Sequence, residues 1–201
     1  LADPELPNKL KAGKADQVSP CLRCMACISE SFVPYVRYCS RIRRCPSNPT
    51  AYKEIPASQV KKAEQPKKVL VIGGGPSGME AAAELAERGH HVILCERENE
   101  LGGAMRHAKY VPFKQKVDQL MHVMIRRLER SGAEIRLRTA ATPTLVESLH
   151  PDVIVAALGA KAKKPEVAGA EHQRLIHGQK AAAVPHKAGL VTQRLLEGGA
   201  Q

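Results

Sequence analysis

Four cysteines have the spacing of a metal site. Cys21, Cys24 and Cys27 are each separated by two residues, and Cys45 follows directly before Pro46. Thiolates are soft ligands that suit iron–sulfur clusters and zinc. Three of them at this spacing can wrap one face of a cubane, with a fourth arriving from further along and a proline as its frequent companion. Structural zinc sites more often pair two C-x2-C halves. Here the second pair is Cys39-x5-Cys45, so spacing favours a [4Fe–4S] cluster over zinc and leaves Cys39 as an alternative fourth ligand. Cys95 stands alone inside an apolar run and reads as a buried thiol.

A second group of residues could hold a phosphate. Gly73-Gly74-Gly75-Pro76-Ser77-Gly78 fits G-x-G-x-x-G. Gly73 permits a tight strand-to-helix turn, Gly75 lets backbone approach a pyrophosphate, and Gly78 allows close helix–strand packing. The helix that follows offers free N–H groups and the positive end of its dipole. Glu96 lies near the ~20-residue spacing expected of a carboxylate that binds an adenosine ribose. Arg97 follows it and either contacts the adenosine end or is solvated. Leu101-Gly102-Gly103 permits a further close backbone approach. The rival reading is a tight turn in an α/β fold with no ligand.

These residues need elements to position them. Val69-Leu70-Val71-Ile72 is a short apolar run of the kind found in buried parallel strands. Gly78–Arg88 is rich in helix formers and stops at Gly89, and His91–Glu96 is a second strand. Pro112–Arg130 places Val117, Leu120, Met121, Met124, Ile125 and Leu128 on one helical face, so its methionines belong to the core. Glu134–Arg138 reads as a third strand, Thr144–Leu149 as a short helix and Asp152–Ala157 as a fourth strand ending at Gly159. The expected fold is α/β: a Rossmann-like parallel sheet with helices on both faces, preceded by an irregular cysteine-rich segment. Residues 1–50 carry the cysteines after a short helical turn near Asn8–Lys14, 51–67 form a polar linker, 68–169 form the nucleotide domain, and 170–201 remain unassigned.

Composition narrows the classes. With 201 residues, 43% of them hydrophobic, the chain is globular, and it is too short for an eight-stranded α/β barrel of ~250 residues beside a cofactor domain. The net charge of +11 invites a nucleic-acid reading. Four Tyr, two Phe and no Trp do not interleave with a basic pattern, so the aromatic stacking platform of a single-strand binder is missing. The charge fits a solvated surface favouring anionic partners, and no nucleic acid is expected. No apolar run approaches the ~20 residues of a membrane span. The start, LADPELPNKLKAGK, has no apolar signal core, so a cytoplasmic setting is expected. No nucleophile, base and carboxylate stand together in a motif, and no catalytic residue is named.

The stretches ADPELPNKL, CLRCMAC, CPSNP, KKVLVIGGGPSGMEAA, RGHHVILCE, LGGAM and PDVIVAALGA occur in an order that resembles the C-terminal part of large iron–sulfur flavoproteins. These are the NADH:flavin oxidoreductases of the 2,4-dienoyl-CoA reductase and trimethylamine dehydrogenase type, related to old yellow enzyme. The resemblance implies a [4Fe–4S] cluster on Cys21, Cys24 and Cys27 with Cys45 selected by CPSNP. It also implies that Gly73, Gly75, Pro76, Ser77, Gly78, Glu96, Arg97, Gly102 and Gly103 line an FAD or ADP site. This chain departs from the family in having Leu158 where members often have Thr. The family's barrel, which carries FMN and the substrate site, is not represented here, nor is a second G-x-G-x-x-G for NAD(P)H. The expectation is therefore a fragment or a subunit that works in a complex with an FMN barrel and an NAD(P)H domain or electron carrier.

Overall fold

Alternation along two strands builds both faces of a sheet. In β1 (Lys68–Ile72) and β2 (His91–Cys95), Val69, Val71, Val92 and Leu94 are buried on one face, and Leu70, Ile93 and Cys95 on the other. A strand's two-residue period forces this division. With β3 (Glu134–Arg136) and β4 (Val153–Ala156) they form one sheet in the order β3-β2-β1-β4, with every pairing parallel. Leu70 stands opposite Ile93 on one side and Ile154 on the other. The computed structural model describes residues 1–27, 44–53 and 61–160; Cys39 and the tail after 160 lie outside the described residues.

Helices cover both faces, as the sequence implies. On one face, α2 (Pro76–Glu87) and α3 (Gln115–Arg130) bring Met79, Ala82, Ala83, Leu120, Met121 and Leu128 against the valines and Leu94. On the other, the short α4 (Pro143–Leu149) packs Leu145, Val146 and Leu149 against Leu70, Ile93 and Cys95. Each fully buried aliphatic side chain in these layers contributes roughly 1.5–3 kcal/mol. Arg127 of α3 clamps α2 through Glu80, Glu84 and Glu87, with Nη2–Oε2 at 3.1 and 2.7 Å for the last two.

Some boundaries differ from the sequence reading. The long helix starts at Gln115 rather than Pro112, because Lys114 N–H bonds back to Val111 O at 2.8 Å and closes a tighter turn over Pro112–Lys114 first. A further 3-10 segment covers Gly103–Tyr110. Strand β3 ends at Arg136, and the chain turns through Arg138 at φ +51, so that Arg138 and Thr139 donate to Glu98 O and Glu96 O.

Residues 1–25 are irregular apart from α1 (Leu6–Lys11) and a turn at Ala15–Gln17. Asp3 organises them, accepting from Lys9 Nζ at 2.7 Å, Ser19 N–H at 2.8 Å and Glu5 N–H at 3.0 Å. Burial would raise the Asp3 carboxyl, but these donors outweigh it and hold it below the usual carboxylate value. Leu22 packs against the domain core, and Asp16 pairs with Arg126 of α3 at 3.4 Å. No helix among the described residues is long and apolar enough to cross a membrane.

Candidate functional site: a glycine-lined crevice

Sheet order dictates where a crevice opens. From β1 the chain proceeds outward to β2 and β3, then returns to the other side of β1 as β4. Such a reversal opens a gap at the carboxyl ends of β1 and β4, where α/β sheets bind ligands. Gly73 leaves β1 at φ +108, and a Cβ there would run into the carbonyl oxygen of Ala157 at the end of β4. A side chain at Gly78 would strike Gly73 O. Glycine at both positions is what lets β1, β4 and α2 meet this closely.

The two glycine motifs touch each other. Gly102 N–H donates to Gly74 O at 2.8 Å, and a Cβ on Gly103 would stand 3.0 Å from Gly75 Cα. Gly102 at φ +108 and Gly103 at φ +52 are both in the left-handed region that disfavours side chains. Thus Leu101-Gly102-Gly103 first braces the phosphate-type turn, a role its sequence did not reveal. Gly75 is the N-cap of α2 and Pro76 its first residue, where the missing N–H costs no helical bond.

Glu96 is the acid within this frame. It is 7% exposed, and Oε2 accepts the Gly74 N–H at 2.6 Å while Oε1 accepts the Glu98 N–H at 2.9 Å. A carboxylate has about four acceptor sites, so two remain after these bonds. The acid thereby ties the end of β2 to the glycine turn and keeps capacity for hydroxyl donors.

A cavity of about 1090 Å³ opens here, lined by Gly73, Gly75, Pro76, Ser77, Glu96, Arg97 and Gly103 of the expected set. Gly78 and Gly102 stand behind it, shaping the turn rather than bordering the space. Arg97 is exposed and pairs with Glu98 at 3.2 Å. Cys95 also lines the cavity and is 2% exposed; burial pushes its thiol up, with Arg136 opposing and Glu134 adding. Further wall comes from Thr139–Ala141 and Ala156–Ala160, and from Arg106 and His107. Of these, the sequence signalled the end of the fourth strand through Ala157, the family departure at Leu158 and the turn at Gly159. Thr139 reaches the site through a loop, and Arg106 through the 3-10 segment Gly103–Tyr110, neither of which has a period to read.

The cysteines lie elsewhere. Cys21 and Cys24 are exposed, and Cys27 and Cys45 are partly buried. Ser47 Oγ donates to Pro20 O at 2.8 Å, so the turn carrying Cys45 is tied to the residue before Cys21. Buried Asn48 secures that turn, donating to Leu1 O at 2.8 Å and accepting from Thr50. These four thiols suit a cluster in donor chemistry, yet among the described residues no three metal-ligating side chains are gathered as a metal site.

Comparison with known proteins agrees with this geometry. Residues 68–193 match the family described as FAD dependent oxidoreductase. An NADH oxidase of Thermoanaerobacter brockii is 37% identical over 174 residues, covering 86% of this chain and 26% of that protein. A cinnamate reductase of Clostridium sporogenes is 36% identical over 171 residues, covering 85% of this chain and 25% of the relative. Among solved structures, a 2-naphthoyl-CoA reductase in complex with 2-naphthoyl-CoA superposes with a TM-score of 0.78 at 30% identity, over 90% of this chain and 27% of that one. The chain thus spans about a quarter of the length of these relatives. Because the matched span contains the sheet, the interlocked glycine turns and the buried acid together, the chain belongs to the FAD-dependent oxidoreductases, of the 2,4-dienoyl-CoA reductase and trimethylamine dehydrogenase type.

Proposed function

We propose that this chain is the electron-transfer portion of an iron–sulfur flavoprotein oxidoreductase. In this reading the crevice holds FAD, or ADP in its place, and Cys21, Cys24, Cys27 and Cys45 hold a [4Fe–4S] cluster. The observation that carries it is the short Glu96–Gly74 bond, which locks an acid that lines the cavity onto the glycine turn. A dinucleotide site needs both groups in one fixed frame. Glu96 would use its remaining acceptor sites for the adenosine ribose hydroxyls. The first-turn N–H groups of α2 would face the pyrophosphate, and no acidic side chain in that turn opposes its charge. Once bound, a flavin exchanges two electrons with a hydride donor or one at a time with a cluster.

The cysteine assignment draws support from the ligand spacing and from the Ser47–Pro20 tie between the two cysteine-bearing segments. The partners in this reading are an FMN-binding barrel and an NAD(P)H-binding domain or electron carrier, in keeping with relatives about four times as long. An anaerobic absorbance spectrum with iron, sulfide and flavin assays tests it. Bound iron and sulfide together with stoichiometric FAD or ADP uptake support the proposal. Zinc without iron would turn the cysteine segment into a structural metal site. Failure to bind any adenine nucleotide would overturn the crevice assignment.

A further inference from the structure

Arg106 belongs to none of the motifs that the sequence marks, yet it is held firmly at the crevice. Its side chain is 21% exposed and borders the cavity. Nε donates to Gly103 O at 3.0 Å, and Nη1 donates to Glu100 Oε1 at 3.0 Å. Its stem lies across Gly102, where an added Cβ would come 2.9 Å from Arg106 Cγ. Gly103 in turn abuts Gly75, the N-cap of α2. The guanidinium is therefore anchored, through a single residue, to the start of that helix.

A guanidinium carries five N–H donors in a planar fork and no acceptor. These contacts occupy two of them, and no further acceptor bonds Arg106 among the described residues. Its carboxylate partner Glu100 is 57% exposed, so water screens that half of the pair more than the half at the cavity.

We propose that Arg106 is a ligand-binding residue for the diphosphate of the nucleotide, gripping it beside the N-terminus of α2. The inference rests on the nucleotide reading above and adds the residue that reads the ligand's charge. A helix terminus offers only about half a unit charge, whereas a diphosphate carries a full negative charge or more. The planar fork matches two phosphate oxygens at once, which a lysine cannot do. Anchoring at Gly103 and Glu100 fixes the side chain before the ligand arrives, so little ordering remains to oppose binding.

Calorimetric titration of the whole chain, freed of nucleotide, with adenosine and with ADP tests this. Wild type should bind ADP more tightly than adenosine. Arg106→Gln should weaken ADP by about tenfold or more while adenosine changes less than about twofold. Arg106→Lys should recover part of the ADP affinity, because the charge returns without the fork. Equal losses for adenosine and ADP would overturn the proposal and reduce Arg106 to a brace for the glycine turn; so would no loss at all. Thermal melts without ligand establish that the variants fold, and the lysine variant carries the comparison if the glutamine variant does not. Wild type that binds neither ligand would instead sink the crevice assignment itself, an outcome visible before any variant is made.

Discussion

Glu96 does two jobs with one carboxylate. It ties down Gly74 and Glu98 and, in our proposal, receives the ribose. Charge-assisted bonds to a carboxylate contribute about 1.5–3 kcal/mol each, so Glu96→Ala should weaken FAD or ADP at least about tenfold. An unchanged dissociation constant by calorimetry would refute the ribose role. For the cysteines, iron analysis decides: Cys45→Ser should lose most of the iron and Cys95→Ser should keep it. The reverse pattern between Cys39→Ser and Cys45→Ser would move the fourth ligand to Cys39. The glycine frame around Glu96 was legible in the sequence because backbone contact this close admits only glycine. Cys95 was equally legible as a buried thiol, since its strand alternates. Arg106 was not, because an arginine outside any motif has many roles and only its contacts select one.

At the scale of elements, α2 and α3 are held by a clamp as well as by their core. Hydrogen bonding to Glu87, with Glu80 assisting against burial, pushes the Arg127 guanidinium up, so it stays charged at every working pH. Arg127→Met should cost about 1–2 kcal/mol in a urea melt, more than a lone surface pair, because three carboxylates on one helix face are left to repel. The N-terminal region rests on Asp3 in a pH-dependent way. Its carboxyl is lowered in the folded chain, so its stabilisation is complete above the unfolded value of 3.8 and is lost as pH falls through the folded value. The protection of the Glu5 and Ser19 amides, measured against their intrinsic exchange rates, should therefore fall in acid, and in Asp3→Asn it should be low already at neutral pH. Strands and helices were legible from their periods, but their ends were not. Pro112 fits a helical first turn, and the bond from Lys114 to Val111 O, invisible in the residue pattern, shifts the start to Gln115.

Over the whole molecule, the described residues build one sheet, its helices and an anchored N-terminal region. A reductase site needs a cavity that holds a ring system with a substrate beside it, and in the resembled family that cavity belongs to a barrel. The isolated 201-residue chain, given FMN, FAD, NADH and an enoyl thioester or cyclic enone, should show no sustained NADH oxidation that depends on the acceptor. Turnover near the ~10 s⁻¹ typical of enzymes would show that this chain contains more of the machinery than we assign to it.

The position of β4 has a consequence in time. Gly73 through Gly103 lie within one continuous stretch, but the wall opposite Gly73 comes from Ala157, and Lys68 N–H reaches forward to Asp152 Oδ2 across 84 residues at 2.7 Å. Contacts so distant along the chain close late, after the local helices and the β1–β2 pair. A refolding chain would thus possess every residue of the glycine turn well before it possesses a crevice. In stopped-flow refolding with FAD present, quenching of flavin fluorescence should lag behind the recovery of helical dichroism; simultaneous signals would show that nucleotide is captured by the unfinished sheet.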